Sequence, residues 1–146
     1  MNVQRLLGKY RMTKQLIEID GSRFDSLSGF WNEISTRVIP GHEWGRNLDA
    51  LNDILRGGFG TPEGGFRLRW VNFQRSKEVL GYPETIRRLE GRLQKCHPLN
   101  VEHFKEQLER ARRGEGPTLV DMVITIIKIH GPGGNEHEDG VELELT

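Results

Sequence analysis

Asp49 and Asp53 stand four residues apart in "NLDALNDIL" (47–55). On a helix that spacing is one turn, so both carboxylates share a side, where they repel and cost roughly 0.2–0.5 kcal/mol. Paired carboxylates can bind a divalent metal, act as general acid and base, or present a rigid anion to cations on another molecule. The first two need a third ligand or a neighbouring histidine, and residues 47–55 supply neither. The third needs only a stiff support that points both groups outward.

The residues around the pair fit such a support. Asn47 is a good N-cap, and the spacing predicts a helix from Leu48 to about Arg56, ended by Gly57-Gly58. At 100° per residue, Leu48, Ala50, Leu51, Ile54 and Leu55 fall on one side, and Asp49, Asn52, Asp53 and Arg56 on the other. Trp44 either wedges the approach to the helix against the core or anchors a partner. Gly45 is read as supplying a backbone angle, and Glu43 precedes them both. Asp49 lies in the first turn, where the helix dipole favours negative charge. From spacing alone, a solvated helix face is the commoner explanation of the pair.

The elements that must hold this helix are legible in the same way. "KQLIEID" (14–20) alternates and ends at the turn signal "DGS", which predicts a strand. "DSLSGFWNEISTRVIPG" (25–41) carries Leu27, Phe30, Trp31, Ile34 and Val38 at helical spacing, with a cap at Asp25 or Ser26 and a stop at Pro40-Gly41. "FRLRWV" (66–71) is a second alternating strand, and "NFQRSKEVL" (72–80) a short helix with Asn72 as its cap. Two polar helices follow at 84–95 and 99–113. "DMVITIIKI" (121–129) is the most apolar segment, and its β-branched residues predict a central, doubly covered strand. "VELELT" (141–146) alternates and is read as an added edge strand forming a hairpin with it. Strands separated by helices favour a small, mostly parallel sheet flanked by helices in an α/β fold. No linker divides the 146 residues, so a single domain is expected, with 1–13 as a loosely ordered lead-in.

Composition removes other classes of function. Lysine plus arginine equals aspartate plus glutamate at 21 each, so the net field favours neither nucleic acid nor an acidic partner. The arginines of "IRRLEGRLQK" and "LERARR" alternate with glutamates, as on exposed helices with intrahelical pairs. Cys96 is the only cysteine, which rules out an intrachain disulfide and leaves it no well-directed histidine base. The five histidines lack zinc-finger spacing, and "HGPGGNEHED" is at most an adventitious metal-binding stretch. "GGFGTPEGG" (57–65) lacks a phosphate-loop lysine and leads into a strand; it is expected beside the interface, with Phe59 as a contact. No signal peptide or run of membrane-spanning length is present, so a cytoplasmic setting is expected, with no catalytic residues, metal or cofactor.

Several of these segments, taken in order, resemble one family. "WGRNLDALNDIL" (44–55), the Trp–x–x–Phe–x–x–Ser–Lys spacing of Trp70, Phe73, Ser76 and Lys77, "ITII" (124–127) as the last strand and the "IDG" turn (19–21) are similar to the barstar family of ribonuclease inhibitors. The resemblance implies an inhibitor that lays an acidic helix and its preceding loop into a ribonuclease active site. It places the dominant aspartate on Asp53, its supporting partner on Asp49 and the asparagine at the helix start on Asn47. The pattern reverses the solvated-face reading of the acidic pair. A further glutamate on a late helix is implied, with Glu106 and Glu109 as candidates. The departures are Glu43 in place of a tyrosine, Asn52 in place of a tryptophan, and Arg46 and Arg56 near the acidic pair. They predict a barstar-type scaffold directed at a different ribonuclease, contacted through Asp53, Asp49, Asn47, Trp44, Asn52, Glu43 and Gly45, and monomeric before it binds.

Overall fold

A computed structural model describes residues 14–146; the expectation for residues 1–13 lies outside them. Three strands, β1 (Leu16–Asp20), β2 (Phe66–Val71) and β3 (Val141–Leu145), form one parallel sheet in the order β1-β2-β3. The helices are α1 (Leu27–Arg37), α2 (Leu48–Leu55), α3 (Phe73–Val79), α4 (Tyr82–Lys95), α5 (Val101–Arg112) and α6 (Leu119–Ile129). The fold is α/β with a three-stranded parallel sheet.

Register explains the two faces of the sheet. Ile17 pairs with Leu68 and Leu68 with Leu143, while Ile19 pairs with Trp70 and Trp70 with Leu145. Ile17, Ile19, Phe66, Leu68, Trp70 and Val141 are buried in the main core. Arg67 and Arg69 point to the other face, where Arg69 Nε lies 3.2 Å from Glu144. Opposite charges on neighbouring strands stabilise that outer surface modestly.

Trp70 is the centre of the packing. It is fully buried, stacks on Phe30 with ring centroids 5.4 Å apart, and donates its indole N–H to Ser76 Oγ at 2.8 Å. Gly21 of the "IDG" turn is required by close approach, since a Cβ there would lie 2.2 Å from the Asn72 carbonyl oxygen. Asn72 corrects the cap expected of it. It sits in the left-handed region at φ 52°, and its amide instead donates to Asp20 Oδ1 at 2.9 Å. Ser26, by contrast, does cap α1 by accepting from the Gly29 amide at 3.0 Å. The first of the polar helices, α4, begins at Tyr82 with Pro83 inside its first turn, where the missing N–H costs nothing.

The largest correction concerns 121–129, expected as a strand. It is helix α6, and its buried positions Leu119, Val120, Val123 and Ile127 trace a helical stripe. A capping box starts it: Thr118 Oγ1 accepts from the Asp121 amide, while Asp121 accepts from the Thr118 amide at 2.9 Å. Packing of that stripe against α2 and the sheet outweighs the weak strand preference of the β-branched residues. The hairpin expected for 141–146 falls with it. The segment is a strand at the sheet edge, but it lies parallel to β2 and is itself the third strand rather than an addition to three.

Helices α4 and α5 pack as an antiparallel pair with a small core of their own, built on Leu89, Leu108 and Ala111. Arg112 bridges to Glu90 at 3.3 Å across the pair. Thr85 ties it to the main body, its Oγ1 accepting from the Leu119 amide at 2.9 Å.

Candidate functional site

The loop before α2 is built before the helix begins. Trp44 is half-buried, meets Trp31 edge-on at 5.4 Å, and donates its indole N–H to Ser35 Oγ at 2.6 Å. It serves as the wedge against the core. Gly45 is expected to supply a backbone angle, but the left-handed conformation of this loop falls on Arg46, at φ 51°. What excludes a side chain at Gly45 is space, since a Cβ would lie 2.9 Å from Ala50 Cβ. Arg46 donates to Asn32 Oδ1, and Glu43 is exposed.

Asn47 caps α2 as expected. Its Oδ1 accepts from the Ala50 amide at 2.8 Å, and its Nδ2 donates to the Gly45 carbonyl at 3.2 Å. Leu51, Ile54 and Leu55 are buried, which locks the helix onto the core. Burying three such side chains contributes about 1.5–3 kcal/mol each before entropy is counted. Asp49 and Asp53 are exposed on the opposite side. Their support is therefore stiff and their carboxylates face solvent.

Neither acid is electrically alone. Arg56 Nη1 donates to Asp53 Oδ1 at 2.9 Å, and Arg56 Nε reaches Glu136 at 3.0 and 3.3 Å. The Asp53 side chain remains 57% exposed, so this ion pair is worth roughly 0–1 kcal/mol and a stronger external cation can displace it. Arg88 on α4 stands within electrostatic reach of Asp49. Burial and the Arg92 charge lower its affinity for a proton, and Asp49 raises it. An arginine keeps its proton regardless, so the face of α2 alternates in sign.

Asn52 points the other way. It is half-buried, and its Oδ1 lies 2.7 Å from His130 Nε2. His130 follows α6 and is fully buried; its Nδ1 lies 2.7 Å from Asp139 Oδ2 and 3.5 Å from Glu136 Oε2. A polar chain thus runs from Asp53 through Arg56 and Glu136 to His130. Sequence reasoning missed His130, Glu136 and Asp139 as neighbours of the acidic helix, because a strand at 121–129 carries the chain elsewhere. A helix there would have delivered His130 to the end of α6, against α2.

The loop at 57–65 lies beside this surface. Gly60, at φ 102°, packs so closely on His42 that a Cβ would meet its ring at 2.6 Å, and Phe59 is exposed. Glu106 and Glu109 are exposed on α5, whose packing partner is α4.

The arrangement offers outward carboxylates on a rigid helix, with arginines interspersed. A comparison with curated proteins found no match. The model of the barstar family, described as "Barstar (barnase inhibitor)", matches residues 14–113. That span runs from β1 through α5, includes the whole of α2 and its preceding loop, and takes in well over half of the 146 residues. This chain therefore belongs to the barstar family.

Proposed function

We propose that this protein inhibits a ribonuclease by laying α2 and the 42–47 loop over a cationic active site. A cleft that binds RNA phosphates is lined with arginine, lysine and histidine. Exposed carboxylates on a fixed helix can take the phosphate positions through short, charge-assisted hydrogen bonds. Asp53 pairs with an active-site arginine or lysine, and Asp49 supports it. Glu43 adds charge at the rim, while Trp44, Gly45 and Asn47 hold the loop in shape for the contact. Asn52 contributes its amide edge while its oxygen stays on His130.

The observation that carries this reading is the outward placement of Asp49 and Asp53 on a helix whose other face is locked into the core. The activity is binding, not catalysis, and the setting is that of an immunity or antitoxin protein in the cytoplasm beside its nuclease. The partner differs in charge pattern from one met by an all-acidic helix, because Arg46, Arg56 and Arg88 lie among the acids. The test is co-purification of the full chain from its native host, followed by a ribonuclease assay. A nuclease that is silent in the complex and active once stripped of this protein supports the reading; partners without nuclease activity contradict it.

The Asp53–Arg56–Glu136 chain favours a second reading. A carboxylate that already has a counter-ion suits an interaction scaffold that has kept the fold and given up the nuclease. The same assay separates the two.

A further inference from the structure

The sheet ends at β3, and the hydrogen-bonding direction alternates along that strand. Thr146 gives its amide to the Trp70 carbonyl at 3.0 Å and takes the Phe73 amide at 3.1 Å, so its backbone faces β2. Glu142 and Glu144 share that direction, while Val141, Leu143 and Leu145 direct their N–H and C=O groups to the open edge. The first of these is closed. Val141 donates to the His130 carbonyl at 2.9 Å, and the turn comes so near that a Cβ on Gly131 would lie 2.3 Å from the Val141 oxygen. Leu143 and Leu145 have no hydrogen-bond partner on this side among the described residues. At the opposite edge, by contrast, Glu33 takes the outward Asp20 amide at 2.8 Å.

Beside the open stretch lies a groove of about 760 Å³ between β3 and α6. Its apolar wall is Ile129, Val141, Leu143 and Leu145, and Lys128 and Asn135 are among its polar positions. Leu145 is 42% exposed. Unpaired backbone beside an apolar trough is the geometry by which an extended chain adds as a further strand, the ladder supplying affinity and alternate side chains selectivity.

The register defines which side chains that strand carries. On the outer face one row runs Glu18, Arg69, Glu144 across the three strands, and the row beside it runs Leu16, Arg67, Glu142. Arginine on β2 is followed by glutamate on β3, so the next position outward in each row favours a cation. On the inner face, the rows Ile17, Leu68, Leu143 and Ile19, Trp70, Leu145 call for apolar side chains. Exposed Lys128 disfavours a cation there. A second copy pairing through its own β3 fails this rule. Facing residues on neighbouring strands share a face, so its outer contacts would bring glutamate against glutamate or Thr146.

We propose that the β3 edge is a docking site for an extended segment of another protein in which lysine or arginine alternates with apolar residues. The segment binds as a fourth strand, with its cations beside Glu142 and Glu144 and its apolar side chains in the groove. None of these residues belongs to α2 or the 42–47 loop, so the docking site and the nuclease reading stand or fall separately.

The test titrates the isotopically labelled full chain with an end-blocked octapeptide of alternating lysine and valine, followed by amide NMR. The expected result is saturable one-to-one binding, with exchange of the Leu143 and Leu145 amides slowed about tenfold or more. A glutamate–valine octapeptide should bind about tenfold or more weakly, and an N-methylated lysine–valine peptide should not bind. Leu145→Pro deletes an outward donor and leaves the β2 ladder its hydrogen bonds. It should weaken the lysine–valine peptide about tenfold or more while the Trp70 amide keeps its protection from exchange. Three results would overturn the proposal: no saturable shifts on β3 at millimolar peptide, binding retained by the N-methylated peptide, or a dimer of the chain alone that Leu145→Pro dissociates. The last would assign the edge to a second copy.

Discussion

Two pairs of acids, one member of each bonded to the same arginine, do opposite things. Asp49 and Asp53 stand in solvent on α2, where water screens their mutual repulsion and holding them costs little. Glu136 and Asp139 close over a buried imidazole, where a charge is tolerable only with a partner in hydrogen-bond contact. Arg56 touches both groups, bonding Asp53 at 2.9 Å and Glu136 at 3.0 Å. The lesson is that a carboxylate's role is set by its surroundings: the inner pair holds the C-terminal segment to α2, and the outer pair is left for another molecule.

That contrast can be broken from the inside first. His130→Ala removes a fully buried imidazole with its contacts to Asn52 and Asp139 and opens a cavity, so unfolding in urea should show a loss of roughly 2–5 kcal/mol. Asn52→Ala leaves the buried Nε2 without its hydrogen-bond partner and should cost about 1–3 kcal/mol by the same measurement. A loss below half a kilocalorie for both would mean that the inner pair is as dispensable as the outer one. Asp53→Asn, in contrast, should change stability by no more than about 0.5 kcal/mol, because its partner among the described residues is an exposed arginine.

Asp20 sharpens the comparison as an intermediate case. Its hydrogen bond from Asn72, and next the one from the Ser22 amide, hold its carboxyl below the usual carboxylate range, against a smaller opposing effect of burial. A folded-state value below the unfolded one stabilises the fold above the unfolded value and is lost as pH falls through the folded one. Asn72→Gly keeps the left-handed backbone but removes the amide. Chemical unfolding as a function of pH should then show lower stability near neutrality and a shallower decline through the acid range. An unaltered acid limb would show that the contact contributes nothing.

The legibility of the molecule follows the range of the forces involved. The ends of α2 were readable because Asn47 caps locally, and its two faces because period 3.6 separates Leu51, Ile54 and Leu55 from Asp49 and Asp53. β1 and β2 were readable from strict alternation. Helix α6 was not, because "VITII" is equally suited to a buried strand, and only the long-range match of its stripe to α2 and the sheet decides between them. The Thr118–Asp121 capping box was the local clue. With 121–129 read as a strand the hairpin follows, and the contacts of His130 with Asn52 and of Glu136 with Arg56 are out of view. Asn72 misled for a related reason: asparagine serves both as a cap and in left-handed turns, and the partner that selects the turn, Asp20, lies 52 residues away.

The central claim is that Asp53 is held out for a cation on another protein, with Arg56 as a replaceable stand-in. The most direct test is the Kd of the purified cognate ribonuclease for the unaltered chain and for Asp53→Ala, measured at low and moderate salt. The account predicts a weakening of more than about 2 kcal/mol for Asp53→Ala, together with a salt dependence of the unaltered chain carried mainly by the association rate. An unchanged Kd for Asp53→Ala would contradict it.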